Sequence, residues 1–118
     1  MVMEEKKFEG IDVLTLEGRF DAHTVGEVNK WLEEVTSKLP PQVMIDMEAV
    51  NFVDSAGLAA LVRGMKRSRE LGGNLVLHSI RQPVRIIFEL TRLDKAFDIF
   101  ESEESAMASF ATPYVMVN

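Results

Sequence analysis

The sequence predicts an α/β sandwich built on a mixed, mostly parallel sheet of about five strands with about four helices. Three observations carry that expectation. Short apolar runs alternate with longer stretches whose apolar residues recur at steps of three and four, in the order β-β-α-β-α-β-α-β-α. The run Val43-Met44-Ile45, with Met47, is almost continuously apolar, as a strand covered on both faces requires. The unit spanning residues 14–47 reads strand–helix–strand, a crossover that makes parallel neighbours and is right-handed almost without exception.

Taken in order, residues 8–16 form a hairpin with Gly10-Ile11-Asp12 in the turn, and Leu14 and Leu16 alternate along the second strand. Gly18-Arg19-Phe20-Asp21 ends that strand, and Asp21 or Thr24 caps the first helix. Val25, Val28, Leu32, Val35 and Leu39 make its apolar stripe, Trp31 packs at the stripe's edge, and Pro40-Pro41 stops it. The next strand covers 42–47. Residues 48–51 turn, and Phe52 and Val53 point back into the core. A second helix runs from Ser55 to Leu71 with Leu58, Leu61, Val62 and Met65 inside, and Gly72-Gly73 ends it. Residues 74–78 form a short strand. Pro83 opens a third helix reaching about Thr91, with Val84, Ile87, Phe88 and Leu90 buried. A loop and a last short strand follow around Phe97, Ile99 and Phe100. Ser102 then caps a helix whose early carboxylates, Glu103 and Glu104, suit the helix dipole. The remaining stretch ATPYVMVN packs or frays.

Composition narrows the function. With 118 residues, 47% of them apolar, the chain can bury a core and reads as one domain, 1–118, with its core at about 8–110. The absence of cysteine excludes disulfides, thiolate catalysis and cysteine-based zinc sites. No run approaches the ~18 apolar residues of a membrane span, and the N-terminus has no signal-like apolar region, so a cytoplasmic location is expected. A net charge of −6 argues against a dedicated nucleic-acid binder. The charge is uneven: residues 1–54 hold 12 acidic and 5 basic side chains, whereas residues 55–95 hold 8 basic and 3 acidic. The basic part is either the solvated face of two helices or a face that meets an acidic partner or a phosphate.

In an open α/β sheet, ligands and partners meet the carboxyl ends of the parallel strands. Two such ends are Phe20-Asp21 and Asp54-Ser55, and if their strands are parallel neighbours, Asp21, Asp54 and Ser55 share one rim. Ser55 sits where a strand end meets a helix N-terminus, and its hydroxyl is expected to accept the helix's unpaired N–H groups. Three roles fit that position: cap, nucleophile or phosphoacceptor. The nucleophile fits worst, because Val53-Asp54-Ser55-Ala56-Gly57 keeps only the second glycine of G-x-S-x-G and no triad order follows. No phosphate-binding G-x-x-x-x-G-K-[ST] occurs. The two histidines, His23 and His78, are far apart in sequence. No enzymatic activity, metal or cofactor is expected. As a phosphoacceptor, Ser55 would carry about −1.5 to −2 charges at a helix end that tolerates them, changing the surface without unfolding the domain.

Val53-Asp54-Ser55-Ala56-Gly57-Leu58 between a strand and a helix, Leu16-Glu17-Gly18-Arg19-Phe20-Asp21, Ile45-Asp46, and Leu90-Thr91-Arg92-Leu93-Asp94-Lys95-Ala96-Phe97 follow one another in family order. In this the chain resembles the STAS domain family, and more narrowly its bacterial anti-sigma factor antagonists of sporulation and general-stress systems. The resemblance implies a STAS-type sandwich and a phosphorylatable serine after the motif aspartate, here Ser55. It implies that the unphosphorylated form binds an anti-sigma factor that is also a serine kinase and frees a sigma factor. Phosphorylation ends the binding, and a PP2C-type phosphatase resets it. Many relatives carry a second hydroxyl where this chain has Ala56. The expected partner-binding residues are Asp21, Asp54, Ala56 and Gly57 at the rim and Arg63, Lys66 and Arg67 along the helix. A monomer or weak dimer is expected. The alternatives are a constitutive STAS subunit or scaffold of a larger assembly, as in stressosomes or lipid transport, and a small-ligand or nucleotide-binding module at the same rim.

Overall fold

The computed structural model describes residues 1–111. Its elements are β1 (Val2–Phe8), β2 (Ile11–Phe20), α1 (Val25–Val35), β3 (Gln42–Val53), α2 (Ser55–Glu70), β4 (Asn74–His78), α3 (Gln82–Leu90), a 3₁₀ turn (Leu93–Lys95), β5 (Asp98–Phe100) and α4 (Glu103–Ala111). The strands lie in the order β1-β2-β3-β4-β5. β1 is antiparallel to β2, and every other pairing is parallel. This is the mixed, mostly parallel five-stranded sheet with four helices that the sequence predicts.

Two cores flank the sheet. On one face, Val28, Trp31 and Leu32 of α1, Leu58, Leu61 and Met65 of α2, and Val84 and Phe88 of α3 pack on Leu14, Leu16, Ile45, Val50 and Leu77. On the other, Ala106 of α4 with Met107 and Phe110 covers Ile11, Val13, Met44 and Val76. Both faces of β3 and β4 are therefore covered, which is why Val43-Met44-Ile45 and Leu75-Val76-Leu77 are fully buried without alternation.

Several boundaries differ from the sequence expectation, each for a local reason. The hairpin turn is Glu9-Gly10, with φ of 52° and 83°, while Ile11 and Asp12 already belong to β2. A two-residue turn of this hand needs both central residues left-handed, and glycine supplies one of them at no steric cost. β1 starts at Val2 but is exposed along almost its whole length, so it carries no apolar alternation to read. The turn expected at 48–51 is absent. β3 runs straight through it, with register shifts against β2 between Thr15 and Glu17 and between Gly18 and Arg19. Beyond Asp46 this strand has lost its β4 neighbour, so Glu48 and Ala49 face solvent and imitate a turn. α1 stops at Val35, four residues before Leu39, which is 77% exposed. Leu90, expected inside α3, is 79% exposed at that helix's last position. The expected packing or fraying of 112–118 lies outside the described residues.

α2 and β4 join through a close approach. The Gly73 α-carbon lies so near Pro41 that an added β-carbon would overlap the Pro41 carbonyl, and the Asn74 N–H donates to that same oxygen at 3.0 Å. The contact holds the start of β4 beside the start of β3.

Candidate functional site

The carboxyl ends of β2 and β3 lie side by side, with Phe20 opposite Val53. The Asp54 N–H extends the pairing by one bond to the Phe20 carbonyl, at 3.3 Å. Asp54 itself is extended (φ −103°, ψ −174°), and α2 begins at the next residue. Its carboxylate accepts the Gly57 N–H at 3.0 Å through Oδ1 and the Ala22 N–H at 3.0 Å through Oδ2. Asp54 is thus the N-cap of α2 and at the same time a clasp on the β2–α1 loop.

This corrects the expectation for Ser55. Its hydroxyl is not the cap. The capping residue is the one with non-helical backbone, and that position falls on Asp54. Ser55 is already the first helical residue, is exposed, and its hydroxyl makes no hydrogen bond among the described residues.

Asp21, buried beside it, organises the loop from β2 into α1. Its Oδ1 accepts the His23 N–H at 3.0 Å, and the Arg19 Nε donates to Oδ2 at 3.3 Å. Thr24 precedes α1 without capping it. Its hydroxyl instead accepts the Asp21 N–H at 2.9 Å and donates to the Arg19 carbonyl at 3.0 Å. The Arg19 guanidinium also lies 4.0 Å above the Phe52 ring. Sequence reasoning named Thr24 only as a possible helix cap, Arg19 only as part of a strand end and Phe52 only as a core residue, and it gave none of them, nor Ala22, a place in the site. The β2–β3 register, in which Arg19 stands opposite Phe52, is the signal that would have found those two.

The electrostatics follow from these bonds. Burial alone would raise the Asp21 carboxyl, but the His23 N–H, the Arg19 side chain and the Thr24 hydroxyl outweigh it and hold the group below the ordinary range. For Asp54 the Gly57 N–H has the largest effect and lowers the carboxyl. The Ala22 and Ala56 N–H groups add to it, against burial and the neighbouring Asp21 charge. Both are anionic at neutral pH, so the surface beside Ser55 is negative.

Gly57 is where α2 can seat this closely. A β-carbon there would stand 2.6 Å from the Phe20 carbonyl oxygen and 3.0 Å from the Phe20 ring, both below contact distance. Ala56, half-buried, lies between Ser55 and this contact.

The structure brings Asp21, Asp54, Ser55, Ala56 and Gly57 together. It does not bring Arg63, Lys66 and Arg67 to the same rim. At 1.5 Å per residue, Arg63 lies about 12 Å and Arg67 about 18 Å along α2 from Ser55. Both turn toward α1: the Arg63 Nη2 donates to the Asn29 Oδ1 at 3.0 Å, and the Arg67 Nε to the Thr36 Oγ1 at 3.1 Å. Lys66 is exposed. His78 is buried at the end of β4, with Nδ1 2.8 Å from the Ser79 hydroxyl and Nε2 without a partner among the described residues, while His23 is exposed on the rim loop. The described residues contain no cluster of metal-ligating side chains, and none of their helices is long and apolar enough to cross a membrane.

Residues 3–106 match the family model described as the STAS domain. The chain belongs to the STAS domain family. Its STAS relatives include the anti-sigma-B factor antagonist of Listeria monocytogenes, 30% identical over 82% of this chain and 84% of that protein. Among solved structures, an anti-sigma factor antagonist from Mycobacterium paratuberculosis is 25% identical, covers 94% of both chains and superposes with a TM-score of 0.83. SpoIIAA, a Bacillus cell fate determinant solved in its phosphorylated form, shares the STAS fold at a TM-score of 0.72 and 18% identity, over 92% of this chain and 99% of its own.

Proposed function

We propose that this STAS domain is an anti-sigma factor antagonist switched by phosphorylation of Ser55. The unphosphorylated form binds an anti-sigma factor that is also a serine kinase and so frees a sigma factor. Phosphorylation ends the binding, and a PP2C-type phosphatase restores it. The protein acts in the cytoplasm as a single domain, a monomer or weak dimer, with no cofactor and no nucleic-acid contact.

The observation that carries this reading is the division of labour between Asp54 and Ser55. Because Asp54 caps α2, the exposed Ser55 hydroxyl has no bond among the described residues to lose when it is modified. A phosphate there adds about −1.5 to −2 charges at neutral pH. The N-terminus of α2 offers positive potential, so the fold survives the modification. Outward, the same charge adds to those of Asp21 and Asp54, and a partner seated over the rim is repelled. Asp21, Asp54 and Ala56 supply the rim surface, and Gly57 contributes by seating the helix beneath it. Arg63, Lys66 and Arg67 meet acidic groups of the partner farther along α2. The names of the relatives support the partner class, and the existence of a phosphorylated form of SpoIIAA supports the chemistry.

Intact-mass spectrometry of the protein recovered from its own cells, followed by site mapping, tests the proposal. A species heavier by about 80 Da, localised to Ser55, is expected. Complete absence of phosphate through growth and stress would overturn the switch and leave a constitutive STAS subunit.

A further inference from the structure

A groove of about 380 Å³ lies between α1 and α2, away from the Ser55 rim. Arg63 and Arg67 stand on its wall one helical turn apart, about 6 Å along the axis. Neither guanidinium has a carboxylate partner among the described residues, where the ion pairs involve other side chains. Each is instead oriented by a neutral oxygen, that of Asn29 in α1 or that of Thr36 just past its end. Arg67 donates to Thr36, whose buried hydroxyl is itself committed to the Leu32 carbonyl at 2.6 Å, and Arg63 donates to Asn29. A guanidinium has five N–H donors, and these bonds use one from each. The floor is apolar, made by Leu32, Ala60 and Gly64. Gly64 brings the helices together there, since a β-carbon would meet Leu32 at 3.1 Å and Leu75 at 3.0 Å. Among the described residues Glu33 is the one acidic side chain on the wall, so their lining is net positive in a protein of net charge −6.

We infer that the α1–α2 groove is a binding site for a small phosphate monoester carrying an apolar body. Two prepositioned guanidinium groups with spare donors match the three terminal oxygens of a phosphate better than the two of a carboxylate. The apolar floor takes the attached body. The site lies about 12–18 Å along α2 from Ser55 and needs no group of the rim, and because it uses Arg63 and Arg67 the ligand and a docked partner would compete for them.

Amide NMR of the full chain, titrated at constant ionic strength with phenyl phosphate and separately with inorganic phosphate, tests the assignment. Phenyl phosphate is expected to give saturable shifts confined to residues 29–36 and 60–67. Its affinity should exceed that of inorganic phosphate about tenfold, the increment from burying one face of the ring. The double variant Arg63→Gln, Arg67→Gln should lose the saturable binding, and Ser55→Ala should keep it. Because Arg67→Gln also removes the bond to Thr36, Glu33→Gln provides an arm of opposite sign. Removing the one carboxylate on the wall should tighten binding roughly twofold. Shifts that rise without saturation, equal affinity for the two anions, binding retained by the double variant, or no gain in Glu33→Gln would each overturn the inference.

Discussion

The Asp54 carboxylate accepts the backbone N–H of Ala22, 32 residues earlier in the chain, at 3.0 Å. The same carboxylate caps α2 through Gly57. One side chain therefore fastens the loop after β2 to the helix after β3, and the surface beside Ser55 depends on both bonds. Asp54→Ala should lower the melting temperature by about 3–6 °C, the usual consequence of losing a helix cap in a domain of this size. Asp54→Asn keeps an acceptor oxygen for the Gly57 N–H and should lose less. Calorimetry of the two variants checks the order.

Acid should weaken the rim in a defined window. Asp21 and Asp54 titrate below their ordinary range in the folded protein, so the unfolded chain takes up protons first as pH falls. Their contribution is fully present above the unfolded carboxylate value of about 3.9 and is lost as pH drops through the lower folded values. Urea unfolding measured from pH 6 downward should show stability falling below about pH 4. Asp54→Asn should flatten that slope, and an unchanged slope would mean that other carboxylates dominate acid unfolding.

Ser55→Ala should fold with a stability within about 0.5 kcal/mol of the parent, because the hydroxyl makes no hydrogen bond among the described residues and the cap is elsewhere. It should retain the partner and accept no phosphate from the kinase. Ser55→Asp should also fold yet bind the partner more weakly, its single charge acting in the same direction as phosphate. Undiminished affinity in calorimetric titration of Ser55→Asp would sink the electrostatic mechanism.

Gly57→Ala tests whether the seat of α2 matters to the proposed switch. The added carbon would need the helix start to move off the Phe20 carbonyl. Overpacking of this kind costs about 1–3 kcal/mol. Phosphorylation of Ser55 should slow even at temperatures where the variant remains folded. A rate equal to the parent's would show that the kinase reads Ser55 without regard to the placement of the helix.

Leu61 and Leu90 make a matched pair. Leu61, fully buried in α2, should cost about 2–5 kcal/mol on truncation to alanine. Leu90, 79% exposed, should cost less than about 0.5 kcal/mol. Chemical denaturation of the two single variants separates them, and near-equal losses would mean that α3 is placed wrongly against the sheet.

Much of this architecture is legible in the residues. The alternation of apolar runs with helical stripes yields the element order, and the crossover from β2 to β3 makes their carboxyl ends neighbours, which is enough to put Asp21, Asp54 and Ser55 on one rim. β1 is not legible, because a strand exposed along most of its length shows no contrast between its faces. The continuation of β3 through Glu48 and Ala49 is hidden for a related reason: a strand that has lost one neighbour exposes residues as a turn does.

The amino-acid order alone establishes the fold class, the absence of cysteine chemistry, and the strand–Asp–Ser–helix junction, because these rest on periodicity and on residue type. The packed fold is what assigns the cap to Asp54 and leaves Ser55 free, since one residue's backbone torsion separates the two roles. It also turns Arg63 and Arg67 away from the rim toward Asn29 and Thr36. That choice depends on how α1 and α2 lie against each other over Gly64, a relation between segments distant in sequence that local pattern does not encode.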